Sequence, residues 1–402
     1  MRKLWGFLGL MGLGLIACDR QDDVVKPIDL PERTKSVITA DNSFGFDLYL
    51  KLAAEAEKGT NLMISPLSVS QALAMTYNGA SGETKAAMEA AMQVAGIDRN
   101  ELNELNKTLV NALLDHDPKV VLEIANSIWY RNDFTILPDF IERNQTYYGA
   151  EVSSLNFADP GSKDVINSWV DTKTHGKISE IVKEINPESF MFLINAIYFK
   201  GAWTYEFAKK DTRESQFYPE EGAAVTIQMM HQEMDLNTFR TDVFTSVELP
   251  YGKGNWRMFM FLPNEGYKVA DIESQLSTKN WNGWMTSYVS TKEVQFSMPK
   301  FTFEYEESLK NALTAMGMEI AFTPAADFTG ILPGGNLLIT DVKHKTFIEV
   351  NEEGTEAAAV TSVEVGLTSA GNFISFNKPF LFAIAEKSTG TVLFLGKYMK
   401  PE

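Results

Sequence analysis

From Gly354 to Thr361 the chain reads as a strand in need of a sheet, and any fold it adopts has to supply one. Alternate residues from Thr355 are Thr355, Ala357, Ala359, Thr361, Val363 and Val365, all small or β-branched and all uncharged. The other set, Glu356, Ala358, Val360, Ser362 and Glu364, carries the only charges between Gly354 and Asn377. This period of two gives one face fit for burial. No proline interrupts the run, so every residue keeps an N–H for a ladder. Gly354 before it, and Gly366 and Gly371 after it, give loop-like freedom at both ends. A small-residue surface loop fits the same pattern, and alternation alone leaves both readings open.

The rest of the chain shows where a sheet can come from. A helical pattern starts at about Asp41, with Phe44, Leu48 and Leu52 four apart and Asn42 or Ser43 as caps. The short apolar strand in 61–64 is broken by Pro66, which suits the first turn of a helix carrying Val69, Leu73 and Tyr77. That helix stops near Gly79, and a mixed helical region follows to about Asp117. Val120–Tyr130 and Met191–Phe199 read as strands, the second apolar enough to be covered on both faces. Ile166, Trp169 and Val170 mark an amphipathic helix between them, closed by Gly176.

The second half turns to strands. They are expected at 225–230, 246–249, 256–262, 293–303, 337–350, 374–385 and 392–398, with one helix at 308–316. Helices early, strands late and no regular βαβ alternation give an α+β fold with large, mostly antiparallel sheets. No linker divides the 402 residues, and no repeat stands out.

Arg2 and Lys3 precede the apolar run Leu4–Ile16, which is too short to span a bilayer as a helix. It ends in Leu15-Ile16-Ala17-Cys18, similar to a bacterial lipoprotein processing box. Cys18 is the single cysteine of the chain, so it is read as a lipidation site with no disulfides. Residues 1–17 are then a signal peptide, 18–36 a flexible tether and 37–402 the folded domain. The acidic cluster Asp19–Asp23 is similar to signals for lipoprotein export to the surface of the bacterial outer membrane. The expected location is therefore extracytoplasmic, lipid-anchored and surface-exposed, with the anchor as the only membrane contact.

A net charge of −17 argues against nucleic acid and anionic membrane surfaces as partners. Catalytic signatures are missing from the reading. His116, His175, His231 and His344 show no paired metal-ligand spacing, and no nucleophile elbow, P-loop or dinucleotide fingerprint occurs in the mature chain. No catalytic residue, metal or cofactor is assigned.

Six stretches carry a resemblance. They are NLMISPLSVSQALAMTYNGASGET at 61–84, INAIYFKGAW at 194–203, ELPY at 248–251, MPKF at 298–301, ITDVKHKTFIEVNEEGTEAAA at 339–359 and FNKPFLF at 376–382. In this order and spacing the chain from about Thr39 to Pro401 resembles the serpins, the serine protease inhibitor superfamily. The resemblance implies three β-sheets with eight to nine helices, an exposed reactive-centre loop, a metastable native state and a monomer. It also implies suicide inhibition, in which a protease cleaves the loop and is trapped as the loop inserts into the main sheet.

Residue by residue, the resemblance makes Gly354 the opening of a hinge whose inserting segment is Thr355, Glu356, Ala357, Ala358, Ala359, Val360 and Thr361. The inward face is then one that should form only after cleavage. The reactive bond falls at Thr368–Ser369, with Leu367 as an alternative reactive residue. Ser65, Ser68, Asn195 and His344 match a polar cluster beneath the opening point of the sheet, the shutter. Trp203 matches an aromatic at the top of the sheet, and Lys300 and Glu352 match an exposed ion pair of small worth there, the breach. Thr368 suits elastase-like enzymes. Leu367 suits chymotrypsin- or subtilisin-like ones, or papain-like cysteine proteases when Thr368 is cleaved. The alternative function is a non-inhibitory member acting as a binding or structural surface protein.

Overall fold

Where the chain changes direction follows from its prolines, glycines and buried polar residues. The computed structural model describes residues 26–335, 337–355 and 372–402. Its helices are α1 (Glu32–Glu55), α2 (Pro66–Tyr77), α3 (Gly82–Ala91), α4 (Arg99–Leu113), α5 (Pro138–Tyr148), α6 (Ser162–Lys173), α7 (Val269–Glu273), α8 (Thr278–Met285) and α9 (Lys310–Leu313). Its first eight strands are β1 (Leu62–Ile64), β2 (Val120–Arg131), β3 (Glu151–Leu155), β4 (Met191–Ala202), β5 (Arg213–Phe217), β6 (Val225–Arg240), β7 (Phe244–Pro250) and β8 (Trp256–Pro263). The remainder are β9 (Val289–Pro299), β10 (Phe301–Ser308), β11 (Lys343–Asn351), β12 (Gly354–Thr355), β13 (Phe373–Ser375), β14 (Phe380–Glu386) and β15 (Val392–Tyr398).

Two ladder networks result. One has six strands in the order β10-β11-β12-β4-β2-β3. The other has nine, β1-β15-β14-β8-β7-β6-β9-β13, with β5 also on β6. The long strand β6 serves two groups, pairing with β5 over Val225–Met229 and β9 over Met229–Thr238, and with β7 over Asn237–Arg240 at its end. Divided at β6, the nine-stranded network gives the second and third of the three expected sheets. The α+β class and the helix count agree with the sequence reading.

Helix α2 is the centre of the molecule. Pro66 sits in its first turn, Ser65 caps it by accepting from Ser68 N at 3.3 Å, and nearly every residue is buried. It packs against both β4 and β15, so it lies between the two sheets. On the opposite face of the six-stranded sheet, α6 buries Ile166 and Val170 against Trp129 and Ile194.

Several boundaries differ from expectation. Helix α1 begins at Glu32, so residues 32–36, assigned above to the tether, are helical, and Thr34 is buried. Asn42 and Ser43 are therefore no caps but lie mid-helix, beside the buried Asp41, which accepts from Ser70 Oγ at 2.5 Å. The single strand expected at 293–303 is two, broken at Lys300 where the chain passes from the nine-stranded sheet to the six-stranded one. Residues 337–342 carry no ladder, and β11 starts only at Lys343. Helix α5, opened by Pro138 and closed by Gly149 at φ +59°, was not anticipated, nor was β3.

Candidate functional site

The head of the small-residue run is already in the six-stranded sheet. Gly354 and Thr355 form β12, paired on one side with Asn351 and Val350 of β11 and on the other with Ala202 and Gly201 of β4. Both pairings are antiparallel, so β11 and β4 run parallel with a strand's width between them. Thr355 is buried, and its Oγ1 lies 2.8 Å from the hydroxyl of the buried Tyr251. This corrects the expectation that the inward face forms only after cleavage: its first residue is in place. Glu356, Ala357, Ala358, Ala359, Val360 and Thr361, with Leu367, Thr368 and Ser369, lie outside the described residues, as does Cys18.

Only glycine fits at 354. Its φ is +145°, and a Cβ there would lie 2.1 Å from Gly201 O and 2.8 Å from Ala202 Cα. Gly201 answers it, since a Cβ at 201 would meet the Tyr251 ring at 2.9 Å. Two glycines back to back let three strands close at this point.

The breach residues converge on the two glutamates before Gly354. Trp203 stacks on Tyr251 with ring centroids 4.3 Å apart and an interplanar angle of 12°. Its indole N–H donates to Asn351 O at 3.0 Å and its backbone N–H to Glu353 O at 2.8 Å. Glu352 accepts from Thr212 Oγ1 at 2.8 Å and pairs with Lys300 Nζ at 3.1 Å. The pair is less exposed than expected: the Glu352 side chain is only 7% exposed, although Lys300 reaches solvent. Burial pushes the Glu352 carboxyl up, but its own backbone N–H, Thr212 and Lys300 outweigh that and hold it below the usual carboxylate range. Glu353 adds a second clamp through Lys209 at 2.6 Å.

The shutter residues meet only in part. His344 Nε2 accepts from Ser65 N at 3.1 Å, and Ser65 Oγ accepts from Ser68 N. Burial pushes the His344 imidazole down to about 4, so it is neutral. Asn195 belongs to a different chain of contacts. Its Nδ2 donates to Asn126 Oδ1 at 2.7 Å, and Asn126 Nδ2 donates to Tyr148 O at 2.8 Å. Asn195 Oδ1 is buried without a partner.

The registers place these two groups level with each other. Val350, Thr355 and Gly201 form one row across β11, β12 and β4. Six residues down each parallel strand stand His344 and Asn195, on either side of the track that β12 would follow. Further down, Leu73, Phe328, Ile331 and Leu337 line a cavity of about 100 Å³ beside residues 191–194 and 340–343.

Sequence reasoning missed Tyr251, Gly201, Thr212, Lys209 and Asn126. Tyr251 and Gly201 lie within stretches already singled out, at 248–251 and 194–203, but nothing in the pattern shows that they meet Gly354 and Thr355.

The family model described as serpin (serine protease inhibitor) matches residues 39–401. The chain belongs to the serpin family. A serpin-like protein of Thermococcus kodakarensis is 33% identical over 92% of this chain and 86% of its own. Serpin B10 of Otolemur garnettii is 34% identical, covering 90% of this chain and 98% of that protein. Among solved structures, the thermophilic serpin tengpin in its native state matches with a TM-score of 0.83 and 34% identity over 94% of this chain and 96% of that one. Human thyroxine-binding globulin complexed with thyroxine gives 0.85 at 28% identity, over 92% and 99%. Relatives of this serpin therefore include a protein solved with a small ligand.

Proposed function

We propose that this serpin is a suicide-substrate inhibitor of serine endopeptidases, reaching to cysteine endopeptidases, that traps the acyl-enzyme by loop insertion. The observation that carries the reading is Thr355, uncharged, buried and paired with a strand on each side. A strand begun in this way can lengthen without meeting a charge on its inward face, because Ala357, Ala359, Thr361, Val363 and Val365 follow.

The chemistry is the protease's own. Its nucleophile attacks the Thr368 carbonyl, the acyl bond forms, the Thr368–Ser369 bond breaks, and the Ser369 amine leaves with a proton from the protease's general acid. Cleavage frees the loop to zip downward, and fourteen residues of new strand extend roughly 45 Å at about 3.3 Å each. The protease is carried along before water can complete deacylation. Continuing the register sets Thr361 between His344 and Asn195, where its hydroxyl donates to the unpartnered Asn195 Oδ1. Val363 arrives at the apolar cavity. Elastase-, subtilisin- and chymotrypsin-like enzymes, with papain-like ones, are the target classes. Cys18 carries the lipid anchor, and the domain stands on the outer-membrane surface as a monomer.

The test is to mix the mature protein with pancreatic elastase and with subtilisin. A covalent complex that survives boiling in SDS is expected. If each protease cleaves the loop and departs fully active, the protein is a non-inhibitory serpin and the reading fails.

A further inference from the structure

A cavity opens where two edges of the six-stranded sheet fail to meet. At the foot of β4, residues Met191–Ile194 pair with β2 on one side only among the described residues. Facing them, residues 337–342 carry no ladder, and Ile339 N donates back to Ala321 O at 2.9 Å. The space between the two edges is the cavity of about 100 Å³. Leu73 of α2 closes it from the inner side of the sheet and Val182 from the outer side, with Ile194, Phe328, Ile331 and Leu337 around the wall. All six are buried. Interiors are close-packed, so an apolar void of this size is costly to keep empty. A cavity of about 150 Å³ lined in the same way by Leu, Ile and Phe stays dry and takes up benzene, so this one has room for a tail of about five carbons.

The mouth adds a charge. Thr340, Asp341 and Lys343 border it, and Asp341 and Lys343 are exposed. The charges around Lys343 are engaged with one another. Asp341 accepts from Ser308 Oγ at 2.5 Å, and Lys310 Nζ donates to Thr340 O at 3.5 Å. Lys345 lies between Glu304 at 3.0 Å and Glu306 at 3.8 Å, and Lys183 pairs with Glu306 at 2.9 Å. Among the described residues no carboxylate pairs with Lys343. An apolar chamber with one uncommitted ammonium at its entrance matches a ligand that is apolar at one end and anionic at the other.

We infer that the cavity and Lys343 form a binding site for a short-chain monocarboxylic acid. The tail lies among Leu73, Phe328 and Ile331, and the carboxylate accepts from the Lys343 ammonium at the mouth. Both ends select. A tail much longer than five carbons outgrows the chamber, and an alcohol of equal length lacks the charge. Every group invoked precedes Thr355, so the site is complete in the intact protein and holds whether or not that protein inhibits proteases.

The test titrates the intact mature protein with hexanoate, whose tail has five carbons, against 1-pentanol and decanoate. Burial of that tail sets an expected Kd of about 1 mM. At about 10 mM, hexanoate should raise the melting temperature by about 2 °C, and no rise would overturn the site. Lys343→Met should weaken hexanoate binding about tenfold, the scale of a charge-assisted hydrogen bond, and leave pentanol binding unchanged. Leu73→Phe fills the chamber and should abolish binding of both; if that variant does not fold, Leu337→Phe fills it from the opposite wall. Hexanoate binding that is undiminished in Lys343→Met, or that survives filling of the chamber, overturns the inference. Decanoate binding tighter than hexanoate would place the acid on an open apolar surface and overturn it as well.

Discussion

Thr355 is the residue on which the proposed mechanism turns. It is buried against Tyr251, flanked by Gly201 and Val350, in a place sized for a small neutral side chain. Thr355→Arg would carry a charge into that place at a cost of several kcal/mol. The variant is expected to be cleaved as a substrate while its SDS-stable complex with subtilisin disappears; undiminished complex would refute the assignment of the inward face. His344 adds a pH signature. Its folded pKa of about 4 lies below the unfolded value of 6.5, so between those limits the unfolded chain binds the extra proton and stability falls as pH falls. Asp41 works in the opposite sense. Burial raises its carboxyl to about 7 despite Ser70, so stability falls as pH rises from 3.8 towards 7. The two partly cancel, and only a difference isolates the imidazole. Going from pH 6.5 to 4, His344→Gln should lose up to about 3 kcal/mol less stability than wild type. Parallel urea-unfolding curves for the two proteins across that range would show that the imidazole is not held neutral by the fold.

Among the elements, β12 is the least legible in sequence and the most consequential. The alternation from Thr355 showed which face could be buried but not that the first two residues are already paired, because pairing depends on Gly201, far away in the chain. The strands from Phe244 to Pro263 and from Phe380 to Tyr398 were legible because continuous apolar runs admit little else. Lys300 was legible as a motif residue but not as a sheet-to-sheet corner, since Pro299 ends one ladder without breaking the apolar pattern. The polar contacts behind β4 were hidden for another reason. Asn78, Asn103, Asn106 and Asn144 belong to no apolar pattern that marks a core, yet all four are buried and joined through side chains around Tyr148. At this scale the prediction concerns Gly354→Ala. Its Cβ would meet Gly201 O at 2.1 Å, so β12 should leave the sheet. Amide exchange at Thr355 should then rise by at least tenfold over wild type, and unchanged protection would contradict the pairing described here.

At the scale of the whole molecule, the proposed mechanism asks one sequence to satisfy two structures. The serpin fold was legible from six short stretches because they recur in a fixed order, and the comparisons agree with it over residues 39–401. What the sequence held back was that Gly354 and Thr355 are already paired between β11 and β4. The Trp203–Tyr251 stack and the glutamate clamps hold these two residues in register there. On the proposed inhibitory reading, the intact protein is a kinetic trap whose release is coupled to cutting the loop. The most direct measurement is the melting temperature of intact protein against protein cleaved within 356–371 by a protease that is not retained. The account predicts a rise of at least about 20 °C on cleavage, the scale of many small increments gained together. Equal melting temperatures would mean that no strand is added, and loop insertion would have to be abandoned as the working principle of this protein.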